Sequence, residues 1–323
     1  MRLRFLAAFL STLALAAPPA FAADALRLAL QATGTTVWEA AAISSLHLDK
    51  EAGLDLKITE LASTEAGKIA LQGGSADIIV SDWLWVARER ADGAKLSFYP
   101  ASTGIGAVMS KASGINSVKD LVGKKLGVAG GALDKSWLLL KAFALKQGVD
   151  LEKTATIVYG APPLLAEKAA QGEIDAVLEF WNFALDLEAR GFHRAIEMTE
   201  VERALGAQRE AIVTGYVFDE TFAKTHKDAL ERFFAMMKKA KTQIASNDEA
   251  WRAASARIAP KDKATLDLYR KRYIEGVPKG TLEEQETDAA KLFAVLAEIG
   301  GERLVGPAKS LDANVFYKAK ESH

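Results

Sequence analysis

A strand–helix alternation written twice with the same punctuation leaves this chain few folds to choose from. Leu26–Leu30 reads as a short apolar strand, Val37–Lys50 as an amphipathic helix ended by Gly53, and Leu54–Leu61 as the next strand. A helix over Thr64–Gln72 closes at Gly73-Gly74, and Ile78–Val80 is a third strand. The second set runs through a strand at Leu126–Ala129, a helix from Lys135 stopped by Gly148, a strand at Thr156–Tyr159, a helix at Pro163–Gln171 and a strand at Ala176–Glu179. Gly74-x-x-Asp77 before Ile78-Ile79-Val80 recurs as Gly172-x-x-Asp175 before Ala176-Val177-Leu178. Gly53-Leu54-Asp55-Leu56 recurs as Gly148-Val149-Asp150-Leu151. Strands alternating with helices predict an α/β fold with mainly parallel sheets. Either a duplication or two similar units of one fold class accounts for the repeat.

Two such sheets make two lobes, and the chain must cross between them. Extended stretches at Ile105–Ser110 and Ile212–Phe218 bracket the second set and are the candidate crossings. Residues 23–106 with 217–323 are expected to form the first lobe and 107–216 the second. The largely helical stretch from Glu220 onward, with helices near Lys227–Ala245, Asp262–Tyr273 and after Thr281, is assigned mostly to the first lobe.

Composition narrows the function. Arg2 and Arg4 precede an apolar run too short to span a bilayer, and Ala20-Phe21-Ala22 offers the small-x-small pattern of a cleaved secretory signal. Residues 1–22 are therefore expected to be a signal peptide, with the mature protein secreted, not inserted in the membrane, and monomeric. Roughly 300 residues remain, comfortable for two domains. Lys+Arg 41 against Asp+Glu 42 argues against nucleic acid as a partner. The absence of cysteine removes disulfides, thiolate metal sites and thiol nucleophiles. Four scattered histidines lack metal-ligand spacing, so no metal and no cofactor is expected. No nucleophile elbow or zinc-protease motif is present, and no catalytic residue is assigned.

Ligands of open parallel sheets bind beyond the carboxyl ends of the strands, where helix N-termini also point. The candidate binding residues stand there. Trp38, Trp83, Trp137 and Trp181 could grip a planar or cationic ligand, each worth about 0.5–2 kcal/mol; the alternative for each is packing in a lobe core. Asp82 and Glu179 could accept from an amino group, and Asp82 could equally cap a helix. Thr35, Ser102, Gly131 and Asn182 complete the set, from turns and strand ends that offer hydroxyl, backbone and amide groups.

Four segments carry a family resemblance: Leu48–Leu56, Leu71–Asp77, Gly114–Lys125 and Ala170–Ala176. In this order they resemble the nitrate/sulfonate/taurine-type substrate-binding proteins of ABC importers, a group that includes carriers of thiamine pyrimidine precursors. Phe180-Trp181-Asn182 looks more like the pyrimidine-precursor branch. The resemblance implies a type II periplasmic-binding fold, with two Rossmann-like lobes on a double hinge. It also implies a periplasmic location, a small organic ligand (an aminopyrimidine or a sulfonate), and a permease and ATPase as partners. An enzyme acting on a pyrimidine on the same scaffold, or a periplasmic sensor, stays open as an alternative.

Overall fold

The two repeats fold as two separate five-stranded sheets in a computed structural model, which describes residues 23–209, 211, 214–259 and 261–319. The expected signal at 1–22 lies outside the described residues. The first sheet holds β1 (Asp24–Gln31), β2 (Leu54–Leu61), β3 (Ile78–Ser81) and β4 (Leu96–Ser102), joined by β10 (Thr214–Asp219). The second holds β5 (Ala107–Ser110), β6 (Lys125–Ala129), β7 (Thr156–Gly160), β8 (Ala176–Glu179) and β9 (His193–Glu197). Their orders are β2-β1-β3-β10-β4 and β7-β6-β8-β5-β9. In each, three parallel strands are followed by one antiparallel strand that the chain contributes next to a crossing.

The repeated Gly-x-x-Asp has the same job in both lobes. Gly74 and Gly172 turn with φ of 69° and 76°, a conformation that costs glycine little. The following aspartate then clamps the neighbouring strand. Asp77 accepts from the Arg27 backbone N–H at 2.8 Å, and its own N–H donates to the Arg27 carbonyl. Asp175 does the same with Lys125, at 2.7 Å. The other repeat is only half structural: β2 begins at once after Gly53, whereas a helical turn, Leu151–Thr154, follows Gly148 before β7.

The crossings differ in detail from the sequence expectation. Ala107–Ser110 is a fully buried strand between β8 and β9, because its apolar residues fill the middle of the second sheet. The first crossing is therefore 103–106. On the return, β10 starts at Thr214, so Thr214–Tyr216 pair in the first sheet and the crossing precedes them; Ile212 lies outside the described residues.

The tail is shared between lobes. Helices Lys227–Ser246, Asp248–Ser255 and Lys263–Glu275 pack with the helix Thr36–Leu46 around the first sheet. In that core the Glu39 carboxylate accepts from Tyr216 Oη at 2.9 Å and Tyr273 Oη at 2.8 Å and pairs with Lys241. The helix Leu282–Gly300 packs instead on the second-lobe helix Lys135–Lys146. Its Ala289, Leu292, Phe293 and Leu296 are buried in a cluster that also holds Trp137 and Leu139, so apolar packing bridges the two sheets. Among the described residues, no helix is long and apolar enough to cross a membrane.

Candidate ligand cleft

The carboxyl ends of strands from both sheets meet at one cleft, which encloses about 850 Å³ of empty space, part of it open to solvent. The first-lobe wall is formed by Gln31 at the end of β1, Thr35 and Thr36 beyond it, Asp82 after β3 and Ser102 at the end of β4. Thr64, Glu65 and Lys68 join it from the helix Thr64–Gln72. The second-lobe wall carries Gly130, Asp134 and Lys135 after β6, and Phe180, Trp181 and Asn182 after β8.

Charge on these walls is mixed. Asp82 and Asp134 each cap a helix, accepting from Trp85 N–H at 2.8 Å and Ser136 N–H at 2.9 Å. Burial pushes the Asp82 carboxyl above its ordinary pKa, and the ammonium groups of Lys68 and Lys135 pull it back. Lys68 pairs with Glu65 at 2.9 Å and lies 5.2 Å from the Trp85 ring centroid. Lys135 lies 5.2 Å from that of Phe180. Two other helices open on the cleft without a side-chain cap, at Thr36 and Trp181.

Thr35, Asp82, Ser102, Trp181 and Asn182 thus stand where the sequence placed them. The Ser102 hydroxyl is already engaged at the crossing, donating to the Gly276 carbonyl at 3.2 Å and accepting from Gly104 N–H at 3.0 Å. Gly130 lines the cleft and Gly131 does not. Three indoles go elsewhere. Trp137 is fully buried in the second-lobe core, where its Nε1–H donates to Tyr159 Oη at 3.2 Å. Trp38 is buried behind Trp181, edge-on with ring centroids 5.6 Å apart, in the first-lobe core. Trp83, one residue past Asp82, faces a smaller cavity shared with Leu84, Leu139 and Leu292. In each case the first turn of a helix points inward, toward the sheet or a neighbouring helix, because only there is apolar surface available to cover the ring.

Glu179 does not line the cleft; it lies buried at the end of β8, 1% exposed, directly before Phe180. Among the described residues neither carboxylate oxygen meets a hydrogen-bond partner. Burial pushes its pKa well above the ordinary 4.5, opposed by the Phe180 N–H and reinforced by Asp134. The folded chain therefore holds a proton that the unfolded chain releases above about 4.5. Stability from the neutral form is complete below that pH and is lost as pH rises through the folded value. Glu179→Gln should thus unfold at higher urea than wild type at pH 8, by about 1–3 kcal/mol. At pH 4 the two should match. Equal midpoints at both pH values would contradict the assignment.

Glu65, Lys68 and Thr214 went unnoticed in the sequence. The only trace was Thr64 and Lys68 four apart on one helix face, a spacing that every helix offers.

Two α/β lobes of matching strand order, two crossings and a cleft at the strand ends define the periplasmic binding-protein fold. Solved structures share it. The periplasmic aliphatic sulphonate binding protein SsuA of Escherichia coli superposes with a TM-score of 0.71 at 18% identity, over 93% of this chain and 94% of that one. The alkanesulfonate-binding protein SsuA of Xanthomonas axonopodis pv. citri, bound to MOPS, gives 0.67 at 16% identity, over 88% and 97%. The Candida albicans CA3427 gene product gives 0.62 at 10% identity, over 92% and 98%. At these identities the likeness is one of fold. Residues 50–250 match the NMT1/THI5-like family, and the chain belongs to that family. No curated protein matches the chain closely enough to count as a relative. The family match bears out the resemblance read from the four sequence segments.

Proposed function

We propose that this protein is the solute-binding subunit of an ABC importer, working in the periplasm and handing a small organic ligand to a permease and its ATPase. The observation that carries the reading is the cleft itself, walled by strand ends from two lobes. A ligand touching both walls favours the form in which they are close together, which couples binding to a shape that a permease can recognise. The family membership and the SsuA structures support the transport role over an enzyme.

The walls suit a flat nitrogenous heterocycle. Its ring would lie against Trp181 and Phe180, an amino group would donate to Asp82, and an acidic substituent would meet Lys68 or Lys135. An aminopyrimidine fits this description. A sulfonate, the ligand named for the SsuA proteins, fits less well, because Asp82 and Asp134 already occupy two of the helix N-termini at the cleft. Glu179 would act from below, holding Phe180 and Trp181 in an uncharged setting.

A thermal-shift screen of the mature protein tests this. A true ligand at 100 times its Kd should add about 2.7 kcal/mol of stability. Aminopyrimidines should shift the midpoint and alkanesulfonates should not. Shifts by alkanesulfonates alone would overturn the ligand class, and turnover by the isolated protein would overturn the transport role.

A further inference from the structure

The helix Trp181–Ala189 belongs to the second lobe through β8, yet one of its faces is built into the first. Trp181, Asn182, Leu185 and Asp186 recur at i, i+1, i+4 and i+5, a single stripe along the helix. Trp181 meets Trp38, and Asn182 Nδ2 donates to the Thr33 carbonyl at 3.4 Å. Leu185, 4% exposed, sits in the first-lobe core cluster with Trp38 and Tyr269. Asp186 accepts from Tyr269 Oη at 2.7 Å and lies 2.6 Å from Lys261 Nζ. The Tyr269 hydroxyl also reaches the Asn182 carbonyl at 2.8 Å. None of Leu185, Asp186, Lys261 and Tyr269 lines the cleft.

We propose that Asp186, held by Tyr269 and Lys261, is a latch that fastens the two lobes together in the absence of ligand and so sets the cleft's affinity from outside it. Trp181 lies beside the first crossing, next to Gly104, and a rotation of the lobes about that crossing would displace nearby groups least. Asp186 is five residues further along the helix, about 7.5 Å away. A charge-assisted bond there acts with more leverage than one at the crossing. Asp186 and Lys261 are only partly solvated and Tyr269 is buried, so their pairing is less screened than a surface ion pair. A latch of this kind raises the fraction of binding-competent protein before ligand arrives, which tightens apparent affinity by the same factor. The inference concerns the two lobes alone and does not rest on the ligand proposed above.

The absence of native cysteine permits a direct test without ligand. Spin labels at Lys57→Cys and Lys153→Cys, exposed positions in different lobes, report the interlobe distance. Labels at Lys57→Cys and Lys224→Cys report within the first lobe. Wild type is expected to show one narrow interlobe distance. Asp186→Ala, and separately the double variant Tyr269→Phe with Lys261→Met, should each shift it to a longer, broader distribution. The closed-to-open ratio should fall about tenfold or more, with the intralobe distance unchanged. The double variant removes the same contacts from the opposite lobe and decides the matter if Asp186→Ala fails to fold. A wild-type protein already open without ligand, or an unchanged interlobe distance in a folded variant, overturns the latch.

Discussion

Gly106→Ala should lose more than about 3 kcal/mol of stability, the upper range for overpacking, and yield little soluble protein. A Cβ at this position would stand 1.6 Å from the Glu179 carbonyl oxygen and 2.7 Å from its carbon. These are backbone atoms, so no side-chain rotamer relieves the overlap and one strand must move. The next residue, Ala107, pairs with Glu179 across β5 and β8, so the shift would break into the second sheet. It would also displace Phe180 and Trp181, the aromatic wall of the cleft. Against the ordinary 5–15 kcal/mol of a folded protein this is a large fraction. Urea unfolding of refolded material, with soluble yield beside it, measures the effect. A wild-type midpoint would show that the two backbones can separate cheaply.

Trp181→Ala should weaken ligand binding by about a hundredfold, close to 2.7 kcal/mol. The ring is the aromatic element of the cleft that also contacts the first lobe, through Trp38 and Tyr269. Stacking on a planar ligand accounts for about 1–2 kcal/mol, and the remainder comes from losing the contact between lobes. Calorimetric titration with the best compound of the screen gives the number directly. At a concentration that adds about 2.7 kcal/mol to wild type, the variant should gain only about 0.4 kcal/mol. Trp137→Phe is the matched control, because Trp137 is buried in the second-lobe core away from the cleft. A variant at Trp181 that binds as tightly as wild type would remove the aromatic wall from the proposed site.

Asp82 and Glu179 show how a carboxylate's chemistry depends on its partners. Both stand at the ends of strands and both are buried. Asp82 has a helix N–H to accept from and two ammonium groups nearby, which offset part of the cost of its burial. Glu179 has only the Phe180 N–H to oppose its burial and no ammonium group beside it, and its pKa is pushed up further. Similar places at the ends of strands therefore conceal different roles.

What the residues determined unaided was everything that rests on local rules. Turn glycines, alternation of strand and helix, and the aspartate after Gly74 and Gly172 act within a few residues or with the adjacent strand, and those features were legible. The placement of Thr35, Asp82 and Ser102 followed too, because strand ends of open parallel sheets face the ligand side in any such fold. Which tryptophans reach the cleft was decided only by the tertiary structure. Trp38, Trp83, Trp137 and Trp181 all stand in the first turn of a helix, and a turn has both a side facing the cleft and a side facing the core. The choice depends on what packs opposite, and for these rings that is supplied by residues far away in the chain: Tyr269 and Tyr273 for Trp38, Tyr159 for Trp137, Leu139 and Leu292 beside Trp83. The same reason hid Asp186, whose partners Lys261 and Tyr269 come from the other lobe.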